Sequence, residues 1–190
     1  DCVNGRATGI TLASGETHSA DVVVFNGDTA ALCDGLLGAD VSTSVPVRPR
    51  HQRGLSAITW CINAETSGFE LDHHNVFFAQ NYAQEFSTIF DNRGICNEPT
   101  VYVCAQDRIN GAPLKAGTER LLLLINAPAD GDHKAWTRNK LDEQREHALS
   151  GVNRGGANST FSEQRCVVSS PDDWHHRFPA SGGSLYGAAS

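Results

Sequence analysis

Four short apolar runs separated by polar segments constrain this chain more than any other feature: LSAITWCINA (55–64), NVFFA (75–79), TVYVCA (100–105) and RLLLLINA (120–127). Each falls far short of the roughly 20 apolar residues a helix needs to cross a bilayer. Each is the right length for a strand. In the first run Ile58, Trp60 and Ile62 alternate with smaller or polar residues, which places them on one face of a pleated strand. A further run, Val22-Val23-Val24-Phe25, is unbroken and β-branched, and predicts a strand covered on both faces, as in parallel sheets.

Between these runs the pattern changes period. Tyr82, Phe86, Ile89 and Phe90 recur at steps of four, three and one, so residues 82–90 predict an amphipathic helix. Residues 136–149 read as a charged surface helix. Ser14-Gly15 marks a hairpin turn after the strand-like RATGITLA (6–13), and Asp28 or Thr29 can cap a short helix running to Leu37. Residues 39–54, with Pro46, Pro49, Arg48, Arg50 and Arg53, predict a crossover between subdomains, because proline denies ladder hydrogen bonds. A polar loop holding Asp107, Arg108, Asn110, Gly111 and Pro113 separates the third and fourth runs. Residues 150–160 (SGVNRGGANST) read as a loose segment, Cys166-Val167-Val168 as a short strand, and Pro171 as the opening of a helical turn. Strands mixed with separate helices give an α/β or α+β fold.

Charge excludes whole classes of function. Fifteen Lys and Arg against 22 Asp and Glu leave a net −7, the wrong sign for displacing counterions from nucleic acid or for a polybasic membrane contact. With no methionine, no leader segment and Asp1 at its start, the chain is expected to be cut from within a longer protein. Its six cysteines show no C-x-x-C pair, so they are expected to be buried or free thiols in a reducing compartment rather than a structural zinc site.

The motifs decide little chemistry alone. There is no G-x-G-x-x-G, P-loop or G-x-S-x-G, and Gly155-Gly156 does not follow a predicted strand. Asn158-Ser159-Thr160 reads as a chance glycosylation match. The doublets His73-His74 and His175-His176 tempt a metal reading, but neighbours on a strand point to opposite faces. No metal is therefore expected; a buried or hydrogen-bonded structural imidazole is expected for at least one histidine of each pair. Asp130-Gly131-Asp132-His133 lacks the oxygen spacing of a calcium loop and reads as a solvated turn. A Ser/His/Asp triad has parts but no ordered context.

Several separated stretches do carry a resemblance. GRATGITLASGETHSADVVVFNGD (5–28) is similar to the flavin-domain segment of amine-oxidase-like and carotenoid-desaturase flavoproteins. LDHHNVFFAQNYAQEFSTIF (71–90) resembles the His-His-Asn strand and helix of phytoene-desaturase-type enzymes. EPTVYVCAQDR (98–108), ERLLLLINAPADGD (119–132) and FPASGGSLYG (178–187) continue in the same order. The chain thus resembles the FAD-dependent carotenoid (phytoene-desaturase-type) desaturase family, above all its hydroxyneurosporene/methoxyneurosporene branch. Residues 134–165 lie outside these stretches. The family's glycine-rich FAD fingerprint and its C-terminal flavin-contacting segment are not in this sequence, and Gly27 stands where the family more often has Ala.

The resemblance implies a mixed-sheet substrate domain with helices on one face, plus a rim of an FAD-binding Rossmann-like domain. Residues 1–38 would belong to the FAD-binding domain, 39–170 to the substrate domain and 171–190 to the return toward the FAD side. It implies desaturation of a carotenoid, FAD as cofactor of the whole protein and a polyene as partner. It also implies peripheral contact with the cytoplasmic side of the inner membrane, and no nucleic acid. Asn26, Gly27 and Asp28 are the expected flavin contacts, at a strand end. His73 and His74 are the catalytic candidates, near the polyene. Since no side chain can accept a hydride, a redox cofactor must take the electrons while the protein supplies position and dryness. The alternatives are a phytoene desaturase, and a carotenoid-binding or isomerase-like relative that does not oxidise. A small-amine oxidase would need an aromatic cage that the sequence does not offer.

Overall fold

A computed structural model of the chain describes residues 1–108 and 117–187, with backbone alone at 161–164. The expected loop positions Asn110, Gly111 and Pro113 lie outside the described residues. Two small hairpins open the chain, β1 (Cys2–Val3) with β2 (Arg6–Ala7), then β3 (Gly9–Thr11) with β4 (Thr17–Ser19). The second turns through Gly15 at φ +87°, a left-handed conformation that suits glycine. Helix α1 (Thr29–Cys33) starts where Asp28 accepts a hydrogen bond from the Ala30 amide at 2.8 Å. A four-residue helix α2 (Ala39–Ser42) and a 3₁₀ turn at Arg50–Gln52 complete the linker.

The sheet is built from β5 (Leu55–Gly68), β6 (His74–Phe77), β7 (Val101–Ala105), β8 (Glu119–Pro128) and β9 (Ala157–Ser169). Their spatial order is β6-β7-β8-β5-β9, and every pair is antiparallel. The fold is thus the α+β form of the expectation. Helix α3 (Tyr82–Phe90) joins β6 to β7, α4 (Arg138–Arg154) joins β8 to β9, and α5 (Pro171–Arg177) follows β9.

Strand alternation and register together sort the side chains into rows that cross the sheet. One face carries the row Asn75–Val103–Leu123–Trp60–Val168, flanked by Phe77–Val101–Ile125–Ile58 and Ala105–Leu121–Ile62–Cys166. This is the core face, and α4 lays Leu141, Ala148 and Val152 on it. The opposite face carries His74–Cys104–Leu122–Cys61–Val167 and Val76–Tyr102–Leu124–Thr59–Ser169. Much of this second face is uncovered: Val167 is 67% and Val76 50% exposed, Cys61 is exposed, and Leu122 and Leu124 are half-buried.

Several expectations change. Residues 22–25 form no strand, and no described strand pairs with them. Val22 is 75% and Val24 86% exposed, because an apolar strand is covered only when neighbours flank it. Residues 150–160 are not loose: α4 runs to Arg154 and β9 begins at Ala157, with Gly156 turning between them at φ +89°. Nor is α4 only a surface helix, since Gln144, Arg145, Ala148, Gly151 and Val152 are buried. Cys61 is exposed rather than packed, although all six cysteines are free thiols as expected.

The turn at 130–133 is not solvated either. Asp130 is fully buried with Lys134 Nζ 3.0 Å from it, and Asp132 takes a bidentate contact from Arg53 at 2.8 and 2.9 Å. Arg53 also donates to the Ala129 and Ala180 carbonyls, so one guanidinium ties the linker to the end of β8 and to the C-terminal segment. Trp174 Nε1 donates to the Ala57 carbonyl at 2.9 Å, anchoring α5 to β5. A Cβ at Gly131 would collide with the Pro171 carbonyl, so this approach requires glycine.

The two faces of β8 make opposite predictions. Leu123→Ala should destabilise the chain by about 2–5 kcal/mol in urea unfolding, as for a core leucine. Leu122→Ala, one residue away on the open face, should cost less than about half of that. Equal costs would mean that both faces are packed.

Candidate functional site

The sheet register assembles four chemistry-bearing side chains at its β6 edge. His74 and Cys104 are direct cross-strand partners, and Tyr102 lies two residues along β7 on the same face. His73 precedes β6, in a bend rather than in the strand, so the alternation that separates strand neighbours does not apply to it. The rings of His73 and His74 meet edge-to-face with centroids 4.3 Å apart. His73 Nε2 lies 3.9 Å from Cys104 Sγ, and His74 Nδ1 lies 2.7 Å from the Tyr102 hydroxyl.

Asn75 shapes that bend. Buried to 9% exposure, it accepts a hydrogen bond from the Asp72 amide at 2.8 Å and donates to the carbonyls of Asp72 and Val103 at 2.7 and 3.2 Å. This is the local asparagine turn expected where a side-chain amide stands in for backbone. Nearby, Arg108 donates to the Leu71 carbonyl at 2.8 Å and grips Glu119 through Nε and Nη2 at 2.9 and 2.8 Å. Thr66 also donates to Glu119. The loop entering the histidine pair is therefore braced onto β5 and β8.

The electrostatics follow from burial and partners. Burial alone would raise the Glu119 carboxyl, but the bonds from Arg108 and Thr66 outweigh it and hold it below the usual range. The same ion pair holds Arg108 above its ordinary value. Burial first, and then the hydrogen bond with Cys104, push the Tyr102 phenol up. Tyr102 therefore stays a neutral hydroxyl in the physiological range.

The other expected site residues lie elsewhere. Asn26 and Gly27 are exposed, and the Phe25 ring packs where a Gly27 Cβ would stand, which accounts for glycine there. Asp28 spends Oδ1 on the α1 cap. Among the described residues no hydrogen bond, ion pair or ring contact joins these three to the histidines. The Asn26 side chain and the second oxygen of Asp28 are left to polar contacts at the surface. His175 accepts from the Gly182 amide at 3.3 Å, and His176 Nδ1 lies 2.7 Å from the Asp172 carbonyl, so the second doublet is structural.

Sequence reading found His73 and His74 but missed Asn75, Tyr102, Cys104, Arg108 and Glu119 as their surroundings. The signal available was the alternation of Tyr102 and Cys104 within β7. Pairing them with His74 required the register. Among the described residues one ligand atom each from His73, His74 and Cys104 lies within 4.8 Å of the others, a cluster that the expectation of no metal did not anticipate.

No family model matches the chain. Curated proteins do. A hydroxyneurosporene desaturase of Rubrivivax gelatinosus is 44% identical over 187 residues, 98% of this chain and 36% of that protein. A hydroxyneurosporene desaturase of Cereibacter sphaeroides is 39% identical over 96% of this chain and 36% of its own length. A 1-hydroxycarotenoid 3,4-desaturase of a Flavobacterium species is 31% identical over 98% of this chain and 38% of its own length. The chain thus spans a little over a third of the length of these relatives.

The Glu119–Arg108 brace makes a pH prediction. A carboxyl held low in the folded state contributes stability above its ordinary value of 4.5, and loses it as the pH falls through that range and below. Urea unfolding from about pH 7 to 3 should show this loss, and Glu119→Gln should flatten the acid limb. The same variant should cost about 3 kcal/mol at neutral pH by leaving Arg108 unpaired. An unchanged acid limb would show that the carboxylate is not a stabilising partner.

Proposed function

Because the chain belongs to the carotenoid desaturase family, we propose that it supplies the sheet-built wall of the substrate chamber in an FAD-dependent desaturase acting on a hydroxy- or methoxyneurosporene-type carotenoid. One observation carries this reading: a five-stranded sheet with a packed core on one face and, on the other, the exposed Val76 and Val167 in rows with the half-buried Leu122 and Leu124. A polyene is a long apolar rod, and a strip of aliphatic side chains crossing several strands offers it extended contact without hydrogen bonds.

Desaturation removes a hydride from one carbon and a proton from its neighbour; the hydride carries away its bonding pair, and the pair left by the proton forms the new double bond. When bound, FAD supplies the hydride acceptor. The chain's own contribution is to bind and orient the polyene on the open face and keep water from it. His73 and His74, at the edge of that face, would accept the proton, with Tyr102 holding the His74 ring and Asn75 holding the bend. Asn26, Gly27 and Asp28 would contact the cofactor from the rim. Residues 1–38 and 171–190 would belong to the flavin side and 39–170 to the substrate side. The exposed 22–25 segment supports this division, since its apolar side chains call for flanking strands of a nucleotide-binding sheet.

We also propose peripheral contact with the cytoplasmic face of the inner membrane, where such a substrate dissolves. No described helix is long and apolar enough to cross a membrane. The aromatic ladder Phe78–Tyr82–Phe86–Phe90, with neighbouring centroids 5.7, 4.9 and 6.2 Å apart and Phe78 67% exposed, is of the kind that rests at a bilayer interface.

The test uses a protein carrying this chain together with the remaining length of its relatives. Mixed anaerobically with a hydroxyneurosporene-type carotenoid, it should bleach its flavin by two electrons. Leu122→Arg or Leu124→Arg should weaken polyene binding by about tenfold or more, because a charge then meets an apolar rod. Polyene binding without flavin bleaching would favour a non-oxidising relative, and wild-type binding by both variants would overturn the wall.

A further inference from the structure

We propose that His73, His74 and Cys104 form a binding site for one borderline-soft divalent cation of the zinc class, with water in the fourth position. Imidazole nitrogen and thiolate sulfur are both donors that such an ion takes, and its open sites combine three protein ligands with a water. One donor atom from each residue lies within 4.8 Å of the other two, and His73 Nε2 and Cys104 Sγ are 3.9 Å apart. Tetrahedral zinc sets such atoms roughly 3.3–3.6 Å apart, so the widest pair closes by about 1.3 Å. Small adjustments of the half-buried His73 and of the exposed His74 together with its Tyr102 partner can supply that closure.

The scaffold for these donors is already in place. The β6–β7 register fixes His74 opposite Cys104. Asn75 holds the bend that brings His73 to the same side, and the Tyr102 hydroxyl holds the His74 ring at 2.7 Å, as outer partners of metal-bound imidazoles do. The His73 Nδ1 atom is buried with no hydrogen-bond partner, so nothing in the protein fixes which nitrogen of this ring carries the proton. At 3.9 Å the thiol is a weak partner for the same ring's other nitrogen, so hydrogen bonding within the protein does not account for this imidazole. Binding releases the Cys104 thiol proton to solvent, and the resulting thiolate offsets one charge of the cation. The ion would occupy imidazole lone pairs that proton acceptance also needs, so the loaded and proton-accepting states exclude each other.

The test is spectroscopic and needs neither flavin nor substrate. The full chain, reduced and freed of metal, is titrated anaerobically with Co²⁺ and the complex displaced with Zn²⁺. The expected result is one equivalent bound, with tetrahedral ligand-field bands and a thiolate-to-cobalt charge-transfer band. Cys104→Ser should lose the charge-transfer band while keeping its circular dichroism, and Cys61→Ser should retain it. Tyr102→Phe should weaken binding by about tenfold. Absence of stoichiometric binding, octahedral bands only, or a charge-transfer band that survives Cys104→Ser would overturn the site. Should Cys104→Ser misfold, His74→Asn on the exposed side serves instead: weaker binding with fewer nitrogen ligands supports the site, and unchanged binding refutes it.

Discussion

The antiparallel pairing of β5 with β8 is the constraint on which the rest of the structure depends. It runs unbroken from Leu55 opposite Pro128 to Ala64 opposite Glu119. Ten residue pairs in one register commit ten side chains of each strand to a face, and a shift by one would exchange the faces entirely. With Ile58, Trp60, Ile62, Leu121, Leu123 and Ile125 in one buried cluster with Leu141, Ala148 and Val152 of α4, the intervening residues must face the other way. The open face is thus a consequence of the packed one, and its apolar content needs a different explanation from folding.

That content is what joins structure to function. Leu122, Leu124, Val76 and Val167 contribute little to the chain's own core, yet they lie in continuous rows across the sheet. At one edge the rows end in a polar corner of His73, His74, Tyr102 and Cys104, braced from behind by Asn75 and by the Arg108–Glu119 pair. An apolar strip ending in a few oriented polar groups is the usual make-up of a site for a long hydrophobic molecule. In the proposed function that molecule is a carotenoid.

What could be read from the sequence was whatever local periodicity controls. The helix at 82–90 and the cores of the strands at 55–64, 100–105 and 120–127 follow from apolar spacing alone. Partnership could not be read, because it arises from contacts distant in the chain. His73 and His74 looked as though they must diverge until the Asn75 turn placed His73 outside the strand. Cys104 is buried as a thiol in an apolar run is expected to be, but only the register sets it against His74. Asp132 looked solvated because its partner Arg53 is 79 residues away. The run at 22–25 misled for a related reason: its composition describes neighbours that the described chain does not supply.

Cys61 offers the most direct measurement of the central claim, because it is an exposed free thiol in the middle of the open row, between Leu122 and Val167. Its alkylation rate in the flavin-loaded, full-length protein can be followed by mass spectrometry with and without a hydroxyneurosporene-type carotenoid. If the open face is the polyene wall, bound carotenoid slows alkylation of Cys61 and leaves that of Cys33, in the distant α1, unchanged. An unaltered Cys61 rate in protein that demonstrably holds the carotenoid would contradict the account.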